Sequence, residues 1–155
     1  MKMDARYNLM YPLERMQDFD PSRYLGVWHE LASIPQLYER ACDSAIAEYS
    51  LQGEVLRVKN YCLHEGRVIS SITGTAVVDP EYCLPSKLLV QFSPGMQGEY
   101  WVLLTDYETF SIVGNRDGSS LWLLSRSRDA EADFRVYLFL LCRRLGLDTG
   151  SLQWR

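Results

Sequence analysis

Among the side chains that could carry chemistry, the four cysteines come first. Cys42, Cys62, Cys83 and Cys142 are widely spaced. None belongs to a CxxC pair and none has histidines at ligand spacing, so no metal site is expected. An even number allows disulfides in an oxidising compartment, but the plainer expectation is free, buried thiols in a reducing one. Cys62 sits near the end of an alternating run and is the one candidate nucleophile, yet no neighbour in sequence would lower its pKa. Of the 2 histidines, His29 falls on the outer face of a strand and His64 at a turn. No serine stands with a histidine and an acid in a recognisable motif. These residues form no recognisable catalytic motif and call for no cofactor, which leaves the Cys62 thiol as the one candidate for catalysis.

The elements that would position a site follow from the hydrophobic period. With 155 residues, 47% of them hydrophobic and 23% charged, the chain suits one domain with a substantial core. Its net charge of −4 and scattered basic residues argue against nucleic-acid binding. Residues 1–18 lack a pattern and read as an N-terminal arm; 19–155 form the domain. The opening carries no secretory apolar run and no segment is long enough to span a bilayer. A natural start at Met1 would keep the protein intracellular and cytoplasmic, and a removed signal would make it secreted or periplasmic.

From Gly26 onward the dominant period is two. In "VLRVKNYC" (55–62), Leu56, Val58, Asn60 and Cys62 share one face, while Arg57, Lys59 and Tyr61 share the other. That is a half-buried antiparallel strand. Similar runs occur at 28–34, 44–51, 67–76, 87–92, 100–105, 109–113 and 121–125, separated by turn residues such as Gln52-Gly53, Asp79-Pro80 and Asp117-Gly118. About eight hairpin-linked strands predict an all-β, up-and-down barrel, because an open sheet of that size would expose two apolar edges. After Arg128 the period changes. Asp129 is a candidate helix N-cap, Arg143 and Arg144 suit a last turn, and Gly146 suits a stop. Phe134, Tyr137, Leu138, Leu141 and Leu145 make an apolar stripe that would pack on the barrel; Val136, Phe139 and Leu140 widen it, most of the excess being expected as core with a dimer contact the alternative, so that monomer and homodimer both stay open. "SLQWR" adds a short final strand.

Three local features, in this order, resemble the lipocalin family. They are Gly26-x-Trp28 within "FDPSRYLGVWHEL", Thr105-Asp106-Tyr107 within "YWVLLTDYETFSIVG", and Arg126 after "LWLLS". The wording of residues 19–154 is most similar to the branch holding apolipoprotein D and the bacterial lipocalins, although His29 stands where that branch usually has tyrosine. The resemblance implies a calyx: an eight-stranded barrel with Trp28 in its narrow end, Arg126 lying across the indole, the Asp106 turn at the same end, and an open mouth opposite. It implies that 34–40 form a lid in which Leu37 and Tyr38 could touch a ligand. It also brings the thiol alternative into focus, since a few lipocalins use a cavity thiol in isomerase chemistry.

Alternation then nominates the lining. Ala45, Ala47, Tyr49, Leu56, Val58, Asn60, Val68, Ser70, Ile72, Leu88, Val90, Phe92, Tyr100, Val102, Ser111, Val113, Trp122 and Leu124 point inward if Arg57, Lys59, Arg67 and Lys87 face water. Leu56, Leu88 and Leu124 are expected as core near the plugged end. Ala47, Tyr49, Val58, Asn60, Ser70, Ile72, Val90, Phe92, Tyr100, Val102, Val113 and Trp122 are the expected ligand-binding set. Glu30 should also face inward and needs a partner. By analogy with the nearest branch, the expected function is non-enzymatic transport of a small hydrophobic ligand, a fatty acid or lysophospholipid, with transient membrane contact possible. A third class, a protein-binding lipocalin acting through mouth loops and helix, would rest on the wide stripe and an outward Trp101.

Overall fold

The structure, a computed structural model, describes residues 13–35, 42–93 and 95–155. The proposed arm up to residue 12 and the lid residues Leu37 and Tyr38 lie outside the described residues. The eight main strands are β1 (Gly26–Ser33), β2 (Ser44–Gln52), β3 (Val55–His64), β4 (Arg67–Val78), β5 (Lys87–Ser93), β6 (Met96–Thr105), β7 (Phe110–Gly114) and β8 (Leu121–Ser125). Each pairs antiparallel with the next, and β8 returns to β1, which also pairs with β2. The ring closes, so no long apolar edge is left to recruit another chain. The helix α1 (Ala132–Arg144) and the short β9 (Gln153–Trp154) follow.

The strand β1 serves two partners along one edge. Residues 26–29 pair with β2, and further on Ala32 and Ser33 pair with Trp154 and Gln153 of β9. Alternation sorts the strand side chains into two cores. Trp28, Tyr49, Val58, Val102 and Val113 turn into the barrel, whereas Leu31, Leu103, Ile112 and Leu123 turn out against Leu138, Leu141 and Cys142 of α1 and Leu145 just beyond it. All five residues of β7 are buried for this reason: its inner face meets the interior and its outer face meets the helix cluster.

Three expectations are corrected. The helix begins at Ala132, with Glu131 at the N-cap position and no side-chain cap bond, rather than at Asp129; the preceding residues are needed to carry the chain from β8 onto the outer wall. Val68 does not point inward. Cys62 pairs with Ser70 but Leu63 pairs with Val68, so Ile69 is an extra residue and the phase is lost beyond it. Val68 and Ile69 are 57% and 50% exposed. Trp101 faces outward from the barrel but is no interaction surface, because it is only 5% exposed. The Tyr82 ring packs edge-on against its indole at 5.2 Å, and the Lys87 ammonium lies 4.2 Å from its centroid.

One end of the barrel is closed by a compact set of contacts. Asp20 caps the 3₁₀ turn Pro21–Arg23 by accepting from the Ser22 N–H, with proline at the first position, where a missing N–H costs nothing. Gly26 then enters β1 with φ +100°, and a Cβ there would lie 3.3 Å from the Arg126 guanidinium; both the backbone angle and the close approach call for glycine. Trp28 is fully buried and donates from its indole N–H to Tyr24 O at 2.9 Å. Arg126 lies 3.8 Å from the indole centroid and donates to the carbonyls of Tyr107, Val27 and Arg23. Such a cation–π contact is worth about 0.5–2 kcal/mol, depending on desolvation.

The Asp106 turn completes this floor. Its carboxylate accepts from the backbone N–H groups of Glu108, Thr109 and Phe110 and from the Thr109 hydroxyl. Partial burial would raise the Asp106 pKa, but these hydrogen bonds prevail and hold it below the ordinary value. Tyr107 adopts φ +66°, and its hydroxyl accepts from the Asp20 N–H, tying the turn to the entry of β1. Trp28→Ala should remove about 3–5 kcal/mol of stability, read as a lowered urea midpoint; an unchanged midpoint would show that the indole is not the keystone of the floor.

Candidate ligand-binding site

Above this floor the barrel encloses a cavity of about 410 Å³. Of the twelve expected ligand-binding residues, Ala47, Tyr49, Val58, Asn60, Ser70, Ile72, Val90, Phe92, Tyr100 and Trp122 line it. Val102 and Val113 do not; they are buried to 1% and 0% in the cluster that surrounds Trp28. Leu56 and Leu88 are core as expected, whereas Leu124 lies on the cavity wall. The mouth contributes residues that strand alternation did not nominate, including Met96, Gln97, Glu99, Asn115 and Ser120. They come from strand ends and turns, where an inside–outside period no longer applies.

The lining is mostly apolar, with one built-in chain of hydroxyls. Tyr49 and Tyr100 bond to each other at 2.5 Å; Tyr100 bonds to Tyr24 at 3.0 Å, and Tyr24 to Ser111 at 2.7 Å. The chain runs from the cavity, where Tyr49 and Tyr100 lie, into the packed floor. Burial raises the Tyr24 pKa to about 12 and raises Tyr100 well above its ordinary value. Both phenols stay protonated at neutral pH, so this part of the cavity carries no charge there. Tyr100 also stacks beside Trp122, with centroids 6.5 Å apart and planes 22° apart. Together they offer flat aromatic surface to an apolar guest.

Glu30 is paired with Arg155. Arg155 donates Nε and Nη2 to one Glu30 oxygen at 2.8 and 2.7 Å, and Nη1 to the Cys42 carbonyl at 2.8 Å. A carboxylate whose side chain is 5% exposed is thereby neutralised by a guanidinium, as burial requires. The Arg155 N–H donates to Leu31 O and its own carbonyl accepts from Arg135 of α1, so β1, the start of β2 and the helix meet at one residue. Nothing in a terminal "WR" suggested this role.

The cysteines require a further correction. Cys42 and Cys62 form a disulfide, their Cα atoms 5.3 Å apart; pairing of Ala45 with Cys62 brings the start of β2 against the end of β3. Both line the mouth half of the cavity. Cys62 therefore presents no thiolate, and the cavity-thiol enzyme loses its nucleophile. Cys83 is free and exposed, and Cys142 is free and buried, its thiol pushed up to about 12 by burial. Among the described residues no group of acids, histidines and cysteines could hold a metal ion.

A ring of eight strands closed at one end and hollow at the other defines a cup for a small molecule, with shape and apolar lining but no catalytic constellation among the described residues. The chain belongs to the lipocalin family: the family model described as a lipocalin-like domain matches residues 19–155. It is 35% identical to apolipoprotein D of Mus musculus over 145 residues, covering 88% of this chain and 76% of that protein. It is 30% identical to the outer membrane lipoprotein Blc of Citrobacter freundii over 144 residues, covering 90% and 80%. Among solved structures, insecticyanin from Manduca sexta superposes with a TM-score of 0.73 at 24% identity, covering 92% of this chain and 83% of that one. Lipocalins are typically non-enzymatic proteins that bind small hydrophobic ligands.

The disulfide assignment has a direct test. Unfolding without reductant should expose two thiols to a maleimide, Cys83 reacting already in the native state and Cys142 only on unfolding. Four reactive thiols in the oxidised, unfolded protein would remove the Cys42–Cys62 bridge.

Proposed function

We propose that this lipocalin binds and carries a single-chain lipid, a fatty acid or lysophospholipid, without chemically changing it. The carrying observation is the cavity itself, about 410 Å³ and walled by Ala47, Val58, Ile72, Val90, Phe92 and Trp122. That volume lies within the ~300–1,000 Å³ common for small-molecule sites and suits one acyl chain better than two. Burial of the chain supplies the driving force, at about 25 cal/mol per Å² of apolar surface removed from water. In this reading the tail points toward the Tyr49–Tyr100 pair and the polar head stays near Asn60, Asn115 and Ser120, where uncharged hydrogen-bonding groups are at hand.

Two further observations support the setting of this activity. The Cys42–Cys62 bridge is of a kind that persists in oxidising compartments, which favours a secreted or periplasmic protein over a cytoplasmic one. No helix among the described residues is long and apolar enough to cross a membrane. At the mouth end, the exposed Val68 and Ile69 on β4 and Met96 on β6 support transient contact with a lipid surface during loading. Val136 and Tyr137 remain exposed on α1 at 55% and 45%, and a homodimer would rest on them; without that contact the carrier is a monomer.

Trp122 reports directly on occupancy because it lines the cavity. Adding oleate or oleoyl-lysophosphatidylcholine to delipidated protein should quench its fluorescence saturably, and Val90→Trp, which fills the cavity, should weaken binding by at least about tenfold. Absence of saturable binding by either lipid would overturn the carrier reading.

A further inference from the structure

Four glycines stand within the eight main strands: Gly26, Gly74, Gly98 and Gly114. A strand glycine is costly, because it loses the most backbone freedom on folding and packs no side chain. The fold accounts for three of them. Gly26 has its positive φ and the close Arg126 guanidinium. A Cβ on Gly74 would lie 2.8 Å from the Phe92 ring and 2.9 Å from Gln91 O, and one on Gly114 would lie 3.0 Å from Leu103. Gly98 differs on both counts. Its φ is not positive, and a Cβ there would meet no described atom within 4 Å. It lines the cavity and pairs with Val90, which lines it too. It also shares a strand face with Tyr100, whose hydroxyl bonds to Tyr49 and Tyr24 inside the barrel. The missing side chain leaves a notch in the inner wall, one inward step above Tyr100 and toward the open end, where β6 begins at Met96.

We infer that this notch receives the wide segment next to the ligand's polar head, the glycerol ester of a lysophospholipid, against the bare β6 backbone. The inference rests on the lipid-carrier reading above and chooses between its two lipids. A strand glycine that the surrounding protein does not require marks a place where another molecule comes close to the backbone. The notch lies toward the mouth, where the head stays, and not deeper along the path of the tail. A fatty acid is scarcely wider at its carboxyl end than along its chain, so it leaves the notch empty and forfeits contact there. A lysophospholipid broadens at the ester and glycerol and fills it. The width of the wall at one position thus favours the lysolipid, whatever the charge of its head.

The test fills the notch and reads fold and binding separately. Gly98→Val places a β-branched side chain, well suited to a strand, where the described protein leaves room. Its urea midpoint should equal or exceed that of the parent. Oleoyl-lysophosphatidylcholine and oleate, each below its aggregation concentration, are then titrated against both delipidated proteins. The variant should bind the lysolipid at least about tenfold more weakly and oleate within about twofold of the parent, with Gly98→Ala falling between. A lowered urea midpoint in Gly98→Val would show that the glycine serves the fold and overturn the inference. Unchanged lysolipid binding, or an equal loss for oleate, would overturn it as well, while binding by the parent keeps the carrier reading intact. Failure of both lipids to bind the parent overturns the carrier reading and the inference with it.

Discussion

The stack of Arg126 on Trp28 is the contact on which the rest of the structure depends. It joins the first strand to the residue that follows the eighth, at the place where the ring must close. The guanidinium lies 3.8 Å from the indole centroid while its N–H groups hold the carbonyls of Tyr107, Val27 and Arg23. One side chain thus ties together the β6–β7 turn, the start of β1 and the 3₁₀ turn before it. Because these groups fill one end of the barrel, the interior is a packed floor there and a cavity beyond it. The indole needs no contact with a ligand to decide where a ligand can go.

The opposite end is held by different chemistry. The strand β1 leaves β2 after His29 and takes up β9, so the wall beyond that point needs other ties. Two are present. The Cys42–Cys62 bridge joins the segment entering β2 to β3, and the Arg155 fork joins Glu30 to the Cys42 carbonyl. A chain-entropy argument gives a disulfide closing a loop of this size a stabilisation of about 3 kcal/mol. These ties also shape the site, since Glu30, Cys42 and Cys62 line the cavity. What stabilises the mouth and what lines the cavity are in part the same residues.

The barrel was legible in the sequence because each main strand alternates and each turn carries glycine, proline or aspartate. The floor was legible because Gly26, Trp28, Asp106 and Arg126 stand in an order whose joint meaning is specific. Most of the lining followed from the strand phases, and ten residues named from them line the cavity. The misses have physical causes. Ile69 adds one residue to β4 and turns Val68 outward, which no local pattern announces. Val102 and Val113 have the right phase but lie too low, since alternation reports the face and not the depth. The disulfide depends on strand register, and four spaced cysteines do not encode it. Arg155 acts through a two-residue strand, too short to carry any period.

The central claim is that this floor makes a cup that one lipid molecule fills. Native mass spectrometry of the purified protein, before and after incubation with single-chain lipids, measures it most directly. The account predicts one adduct per chain with the mass of a single-chain lipid, absent when Val90→Trp fills the cavity. A protein that stays at its bare mass with every lipid offered, or an adduct that survives in the filled variant, would contradict it.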